Sequence, residues 1–212
     1  MTSSAASAAT AAPVLTPERL ASAYTYLTYR QLIDELLAQG RTTGPNQSEA
    51  LTAYAKLNEQ RMSRLDKTVQ LLPELTDELA RLQGQYVWLV LTEGWCGDAA
   101  QIVPVLDTIA RASGGHLSTR YLLRDENLDL MDRYLTGGTS RSIPKLVVLR
   151  ADTLTEVAQW GPRPAEAQAL LLALKAQGAT HEEYAERIHA WYAKDKTRST
   201  QQELVALLRQ LA

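Results

Sequence analysis

The sequence predicts an α/β fold: a mixed central sheet flanked by helices, with further helical segments at both ends. Three observations predict it. Apolar residues recur three and four apart through most of the first third of the chain. Short unbroken runs of β-formers begin after Gly84. From there the segments alternate in the order β-α-β-α-β-β-α, which implies a sheet covered by helices. The 212 residues suit one domain with extensions, and 45% hydrophobic against 22% charged residues is enough apolar material for a real core.

The elements follow in chain order. Residues 1–15 begin with "MTSSAASAATAAPV", an Ala/Ser/Thr segment with no Lys or Arg before Arg19; it is too polar for the apolar stretch of a signal peptide and reads as a disordered tail. Residues 16–83 read as a helical extension. One helix runs from the cap Thr16 and Pro17 to Gly40, a second from Ser48 to about Met62, and a third from Asp66 to about Leu82, with Pro73 placed to break or bend it. "YVWLVLT" is a strand buried on both faces. "DAAQIVPVLDTIARA" is a helix ending at Gly114-Gly115, "LSTRYLL" a second strand, and "NLDLMDRYL" a short helix closed by Gly137-Gly138. "KLVVLR" and "TEVAQW" form a hairpin across "ADTL", and "RPAEAQALLLALKAQG" is the last helix of the domain, which spans 84–176. Residues 177–212 add two helices, one capped by Thr180 with Glu183 and one by Ser199 with Gln202.

Composition excludes several classes. A net charge of -2 leaves no basic footprint for nucleic acid. No apolar run reaches the roughly 20 residues that a membrane helix needs. The single cysteine, Cys96, rules out an intramolecular disulfide and points to a reducing, cytoplasmic setting. His116, His181 and His189 are scattered, with no ligand-like spacing beside the cysteine, so neither a metal site nor a cofactor is expected.

The segments "TEGWCGDAAQIVPVL" and "SIPKLVV" resemble the thioredoxin superfamily, more narrowly the bacterial thioredoxin-like proteins carrying a Thr-Glu-x-Trp-Cys-Gly-Asp segment. Trp95-Cys96-Gly97 matches the start of the family's active-site motif. Pro104 matches the proline that kinks the active-site helix. Ile143-Pro144 matches the isoleucine before the cis-proline, with Arg141 where an arginine often precedes it, and Gly161 falls within one residue of a groove-lining glycine. The resemblance covers residues 84–176 and implies a thioredoxin-like fold, a reactive Cys96, and a peptide groove formed by Trp95, Gly97, Asp98, Ile143, Pro144 and Gly161. Two departures matter. Ala99 stands where the family has its resolving cysteine, and Val90 stands where it has a buried acid, so no dithiol cycle can run within this chain.

A cysteine at the first turn of a helix faces unpaired N–H groups and the positive end of the helix dipole, which favour the thiolate. Asp98, two residues on, opposes it by a similar amount, so a thiol near neutral pKa is expected; Arg141 and Arg163 tip the balance further if they reach the same groove. The plain alternative is a buried, inert cysteine. Asp98 and Glu93 read as helix-start capping residues before they read as catalytic acids.

Two functions follow. In the first, a monothiol protein exchanges thiols and disulfides through Cys96 with a protein or low-molecular-weight partner, and an external thiol resolves the mixed disulfide. In the second, a redox-inactive thioredoxin-fold module keeps the peptide groove for protein interaction. The helical extensions either cover that groove or pair two chains as a homodimer. A peroxidase- or transferase-like activity has no supporting residue pattern beyond the fold.

Overall fold

The computed structural model describes residues 15–211; the expected tail falls almost wholly on residues outside that range. Four strands, β1 (Tyr86–Thr92), β2 (Leu117–Leu123), β3 (Lys145–Arg150) and β4 (Glu156–Trp160), form one sheet in the order β2-β1-β3-β4. The β1–β2 pair is parallel, and the β1–β3 and β3–β4 pairs are antiparallel, so the sheet is mixed. Every residue of β1 is buried, as its continuous apolar run requires of a strand covered on both faces.

Nine helices accompany the sheet among the described residues. Two short ones, α1 (Pro17–Ser22) and α2 (Tyr26–Ala38), replace the single helix expected from 16 to 40. The break has a physical cause. Tyr24 leaves the helix to exchange both backbone hydrogen bonds with Tyr121 on β2, at 2.9 and 2.8 Å, which covers that edge of the sheet. Thr25 then restarts the helix with a reciprocal capping box to Thr28. The helix from Ser48 runs on past its expected end as α3 (Glu49–Thr68), and Pro73 starts α4 (Pro73–Arg81) instead of bending a longer helix.

Beyond β1, α5 (Gly97–Ala112) is buried along most of its length, because α3, β2 and α8 (His181–Asp195) all pack against it. α6 (Leu128–Met131) is a single turn, and α7 (Ala165–Ala176) packs on α8. The box at Thr180 and Glu183 forms as the sequence suggests. The cap expected at Ser199 does not: α9 (Arg198–Leu208) starts two residues earlier, from a left-handed Thr197, and the Ser199 hydroxyl bonds Asp195. The acid at the end of α8 is the stronger acceptor, and the αL turn at Lys196-Thr197 brings it within reach.

α9 ties the two ends of the chain together through Gln201, 1% exposed. Its Oε1 accepts the Leu72 N–H at 2.8 Å, and its Nε2 donates to Gln70 O and to Thr197 Oγ1. Glu203 on the same helix accepts from Trp160 Nε1 and from Ala165 N–H, capping α7, which has no side-chain cap of its own. Replacing the Gln201 amide with an isosteric apolar group strands the partners of the α3–α4 turn. Gln201→Leu therefore costs about 2 kcal/mol of stability in a urea unfolding titration, while Gln202→Leu, on the exposed side, changes it by less than about 0.5 kcal/mol.

Candidate functional site

β1 ends at Thr92, and the turn Glu93-Gly94-Trp95 delivers Cys96 to the N-cap of α5. The Cys96 N–H donates to Glu93 O at 3.1 Å, and its Sγ accepts the Ala99 N–H at 3.4 Å, the arrangement a helix start imposes on a cysteine cap. The thiol donates in turn to the Ile143 carbonyl at 3.3 Å. Helix start and proline loop therefore meet at the sulfur. The Ile143–Pro144 and Gly161–Pro162 peptide bonds are both cis. Gly161 adopts φ +106°, and a Cβ there would lie 2.5 Å from Pro144 O, so only glycine lets these two loops touch.

The sulfur is not open to solvent. Cys96 is 8% exposed and its thiol is pushed up to about 12, first by burial and next by the Asp98 carboxylate; the Ala99 N–H and Arg163 pull the other way without prevailing. The near-neutral thiol expected from the helix terminus is thereby corrected. The helix dipole is worth about 0.3–2 kcal/mol, whereas removing a charge from water costs several.

The helical additions close over the residue that follows the cysteine. Gly97 has no side chain, and a Cβ at that position would sit 2.4 Å from Tyr54 Oη on α3 and 2.7 Å from His189 Nε2 on α8. Those two groups bond each other at 2.8 Å across the helix start. Gln101 lies 3.4 Å from the other ring nitrogen of His189. Asp98, half-buried beside it, is fully engaged. It takes both arms of the Arg163 guanidinium, at 3.1 and 2.5 Å, and the Tyr192 hydroxyl at 2.7 Å, while Arg163 reaches on to Gln168. Arg163 thus enters the site by neutralising Asp98. Arg141 instead holds Asp132 through two bonds.

Beside this cluster lies a cleft of about 730 Å³, lined by Trp95, Cys96, Gly97, Asp98 and Ile143 among the residues singled out from sequence. Pro144 and Gly161 are packed together behind it and do not line it. The Ile143 carbonyl, at the edge expected to pair with a peptide, accepts the Cys96 thiol. Trp95 carries the Arg124 guanidinium 4.8 Å above its ring. Glu93 turns away from the cleft: it is fully buried, Oε1 accepts the Asp125 N–H at 2.9 Å, and burial raises its carboxyl to about 7.

Tyr54, His189 and Tyr192 escape a sequence reading, since they lie 42 to 96 residues from Cys96 and nothing local marks them. The i, i+3 spacing of His189 and Tyr192 is the one available cue: it puts both on one face of α8.

A thioredoxin family, Thioredoxin_9, matches residues 44–183, more than half of the chain. The protein belongs to that family. The match takes in α3 and α4 as well as the segment from 84 to 176 on which the sequence resemblance rested. Among solved structures, a protein of unknown function from Pseudomonas aeruginosa aligns at a TM-score of 0.57 with 16% identity, over 91% of this chain and 96% of its own. An HIV epitope-scaffold aligns at 0.55 with 19% identity, over 84% and 98%. At these identities the likeness is one of fold. No curated protein matches. This thioredoxin-family chain therefore combines the family's sheet with one buried cysteine and added helices at both ends. No helix among the described residues is long and apolar enough to cross a membrane.

Two outcomes test the electrostatics. Asp98→Asn removes a charge that opposes the thiolate and frees Arg163 to favour it, so the Cys96 pKa falls by on the order of one unit, measured as the pH dependence of iodoacetamide alkylation. The His189 ring is held down to about 4 by burial and by Arg61. Its stabilising contribution is full above the unfolded value near 6.5 and is lost as pH falls through 4. Glu93, raised to about 7, acts oppositely: its contribution is full below about 4.5 and is lost as pH rises through 7. His189→Gln removes the first trend alone, so its urea midpoint climbs relative to wild type as pH drops from about 7 to 4.5.

Proposed function

We propose that this protein is a thioredoxin-fold binding module whose cleft receives an extended polypeptide, with Cys96 kept as a protonated thiol in the resting state. One observation carries the reading: the Cys96 thiol is buried and spends its proton on the Ile143 carbonyl. A thiol with its pKa near 12 presents almost no thiolate at neutral pH, and thiolate is the species that attacks a disulfide. Ala99, in place of a second cysteine, and the cover contributed by α3 and α8 support the same view. The cleft that remains is bounded by apolar side chains on α3, α7 and α8, among them Leu51, Leu172 and Ile188, which suits the alternate side chains of an extended segment.

A second reading, monothiol exchange, is favoured by one feature: Sγ lies at the helix start, accepts the Ala99 N–H, and belongs to a residue lining the cleft. In that chemistry the Cys96 thiolate displaces one thiolate from a substrate disulfide and forms a mixed disulfide. An external thiol then attacks the mixed disulfide, carries away the substrate's other half as a new disulfide, and returns Cys96 to its reduced form.

The two readings part on one titration. As a binding module, Cys96 alkylates with a pKa above that of a free thiol, about 8.5, and Cys96→Ser retains peptide binding measured by fluorescence anisotropy. A pKa clearly below that value, together with a mixed disulfide seen by mass spectrometry after incubation with glutathione disulfide, replaces the binding-module reading with monothiol exchange.

A further inference from the structure

The cleft and a smaller neighbouring hollow of about 310 Å³ share one wall, the His189 ring. Charge is distributed unevenly around them. The chain as a whole carries -2. The two hollows together are nevertheless lined by five arginines and a lysine, against a single acid, Asp98. Three of those cations are already matched: Arg163 by Asp98, Arg124 by Asp125 and Arg141 by Asp132. The other three are Arg61 and Arg64, one turn apart on α3, and Lys175 on α7. None of these three pairs with a carboxylate among the described residues. Arg61 is held in place by Asn58 Oδ1 at 2.7 Å and by the Tyr54 ring, with its guanidinium carbon 5.4 Å from the ring centre. The Lys175 ammonium lies 5.2 Å from the centre of the Tyr184 ring. Among the polar residues that line the cleft stand the apolar Leu51, Leu171 and Ile188 with Leu172, which at 56% exposed is one of only five large hydrophobic side chains left substantially exposed among the described residues.

Apolar side chains in a lining that also carries unmatched cations select their occupant by charge. We propose that the occupant is an acidic extended segment of a partner protein, running from the Cys96 cleft across His189 to Arg61 and Arg64. This rests on the binding-module reading above and adds to it the chemistry of the partner. In an extended segment successive side chains point to opposite sides. Apolar residues at alternate positions pack on Leu172 and its neighbours, and acidic residues between them meet Lys175 at one end and the two arginines at the other. Desolvated carboxylates gain most from planar guanidinium partners that are already held in position, as Arg61 is. The long-range part of the attraction is screened by salt, with a Debye length of about 10 Å at 0.1 M.

The test uses the full chain and three fluorescein-labelled peptides of about ten residues, in which Leu alternates with Glu, with Ser or with Lys. Fluorescence anisotropy is read at about 50 mM and about 500 mM salt. The Leu–Glu peptide binds at least about tenfold more tightly than either of the others at low salt, and that margin shrinks at high salt. The double reversal Arg61→Glu with Arg64→Glu removes about tenfold or more of the affinity, and Lys175→Glu removes part of it. A control pair, Arg111→Glu with Arg150→Glu, changes the net charge equally at the far ends of α5 and β3 and leaves binding intact; circular dichroism and thermal midpoints check that each variant is folded. If the control pair weakens binding as much as the test pair does, the effect is one of net charge and the proposal is overturned. If the Leu–Ser peptide binds as tightly as the Leu–Glu peptide, the acidic preference is overturned while the cleft keeps its role. If none of the three peptides binds, the acidic partner and the binding-module reading fall together.

Discussion

The first turn of α5 is where the sheet, the proline loop and both sets of added helices converge, and the other features of the site depend on how that turn is enclosed. Gly97 leaves the space in which Tyr54 from α3 and His189 from α8 meet and bond each other. Asp98 is fixed there by Arg163 and Tyr192. Cys96 caps it and turns its thiol to the Ile143 carbonyl. A helix terminus normally offers its free N–H groups to water or to an anion. Here protein side chains occupy that space, and the chemistry of the cysteine follows from the enclosure.

The balance at the sulfur shows which force decides. The N-terminal dipole and the Ala99 N–H favour the thiolate, but their effect is that of partial charges in the first turn. Burial penalises the full charge, and Asp98 adds repulsion to that penalty. Arg163 relieves only part of it, since its guanidinium is already committed to Asp98. The same logic lowers His189 and raises Glu93, while the charges that remain at the helix start, Asp98 and Arg163, are held against each other.

The strands were legible because each is a short run of β-formers bounded by turn residues, and their order fixes a mixed sheet once helices lie between them. The helix start at Cys96 was legible for the same local reason. The split between α1 and α2 was not, because Tyr24 leaves the helix for a backbone partner nearly a hundred residues away. The failed cap at Ser199 has a similar origin: a left-handed turn at Lys196-Thr197 brings Asp195 to the hydroxyl, and no side-chain pattern announces that turn.

By itself the sequence determined the scaffold and the identity of the groups at the helix start, since apolar period, turn chemistry and the Trp-Cys-Gly-Asp spacing act over a few residues. It also determined that no second thiol could resolve a disulfide at Ala99. Tertiary structure alone decided whether the sulfur meets water, because that depends on what packs around it, including the Ile143 carbonyl 47 residues further on. Desolvation is a property of everything packed around a group, and no local stretch of sequence contains it.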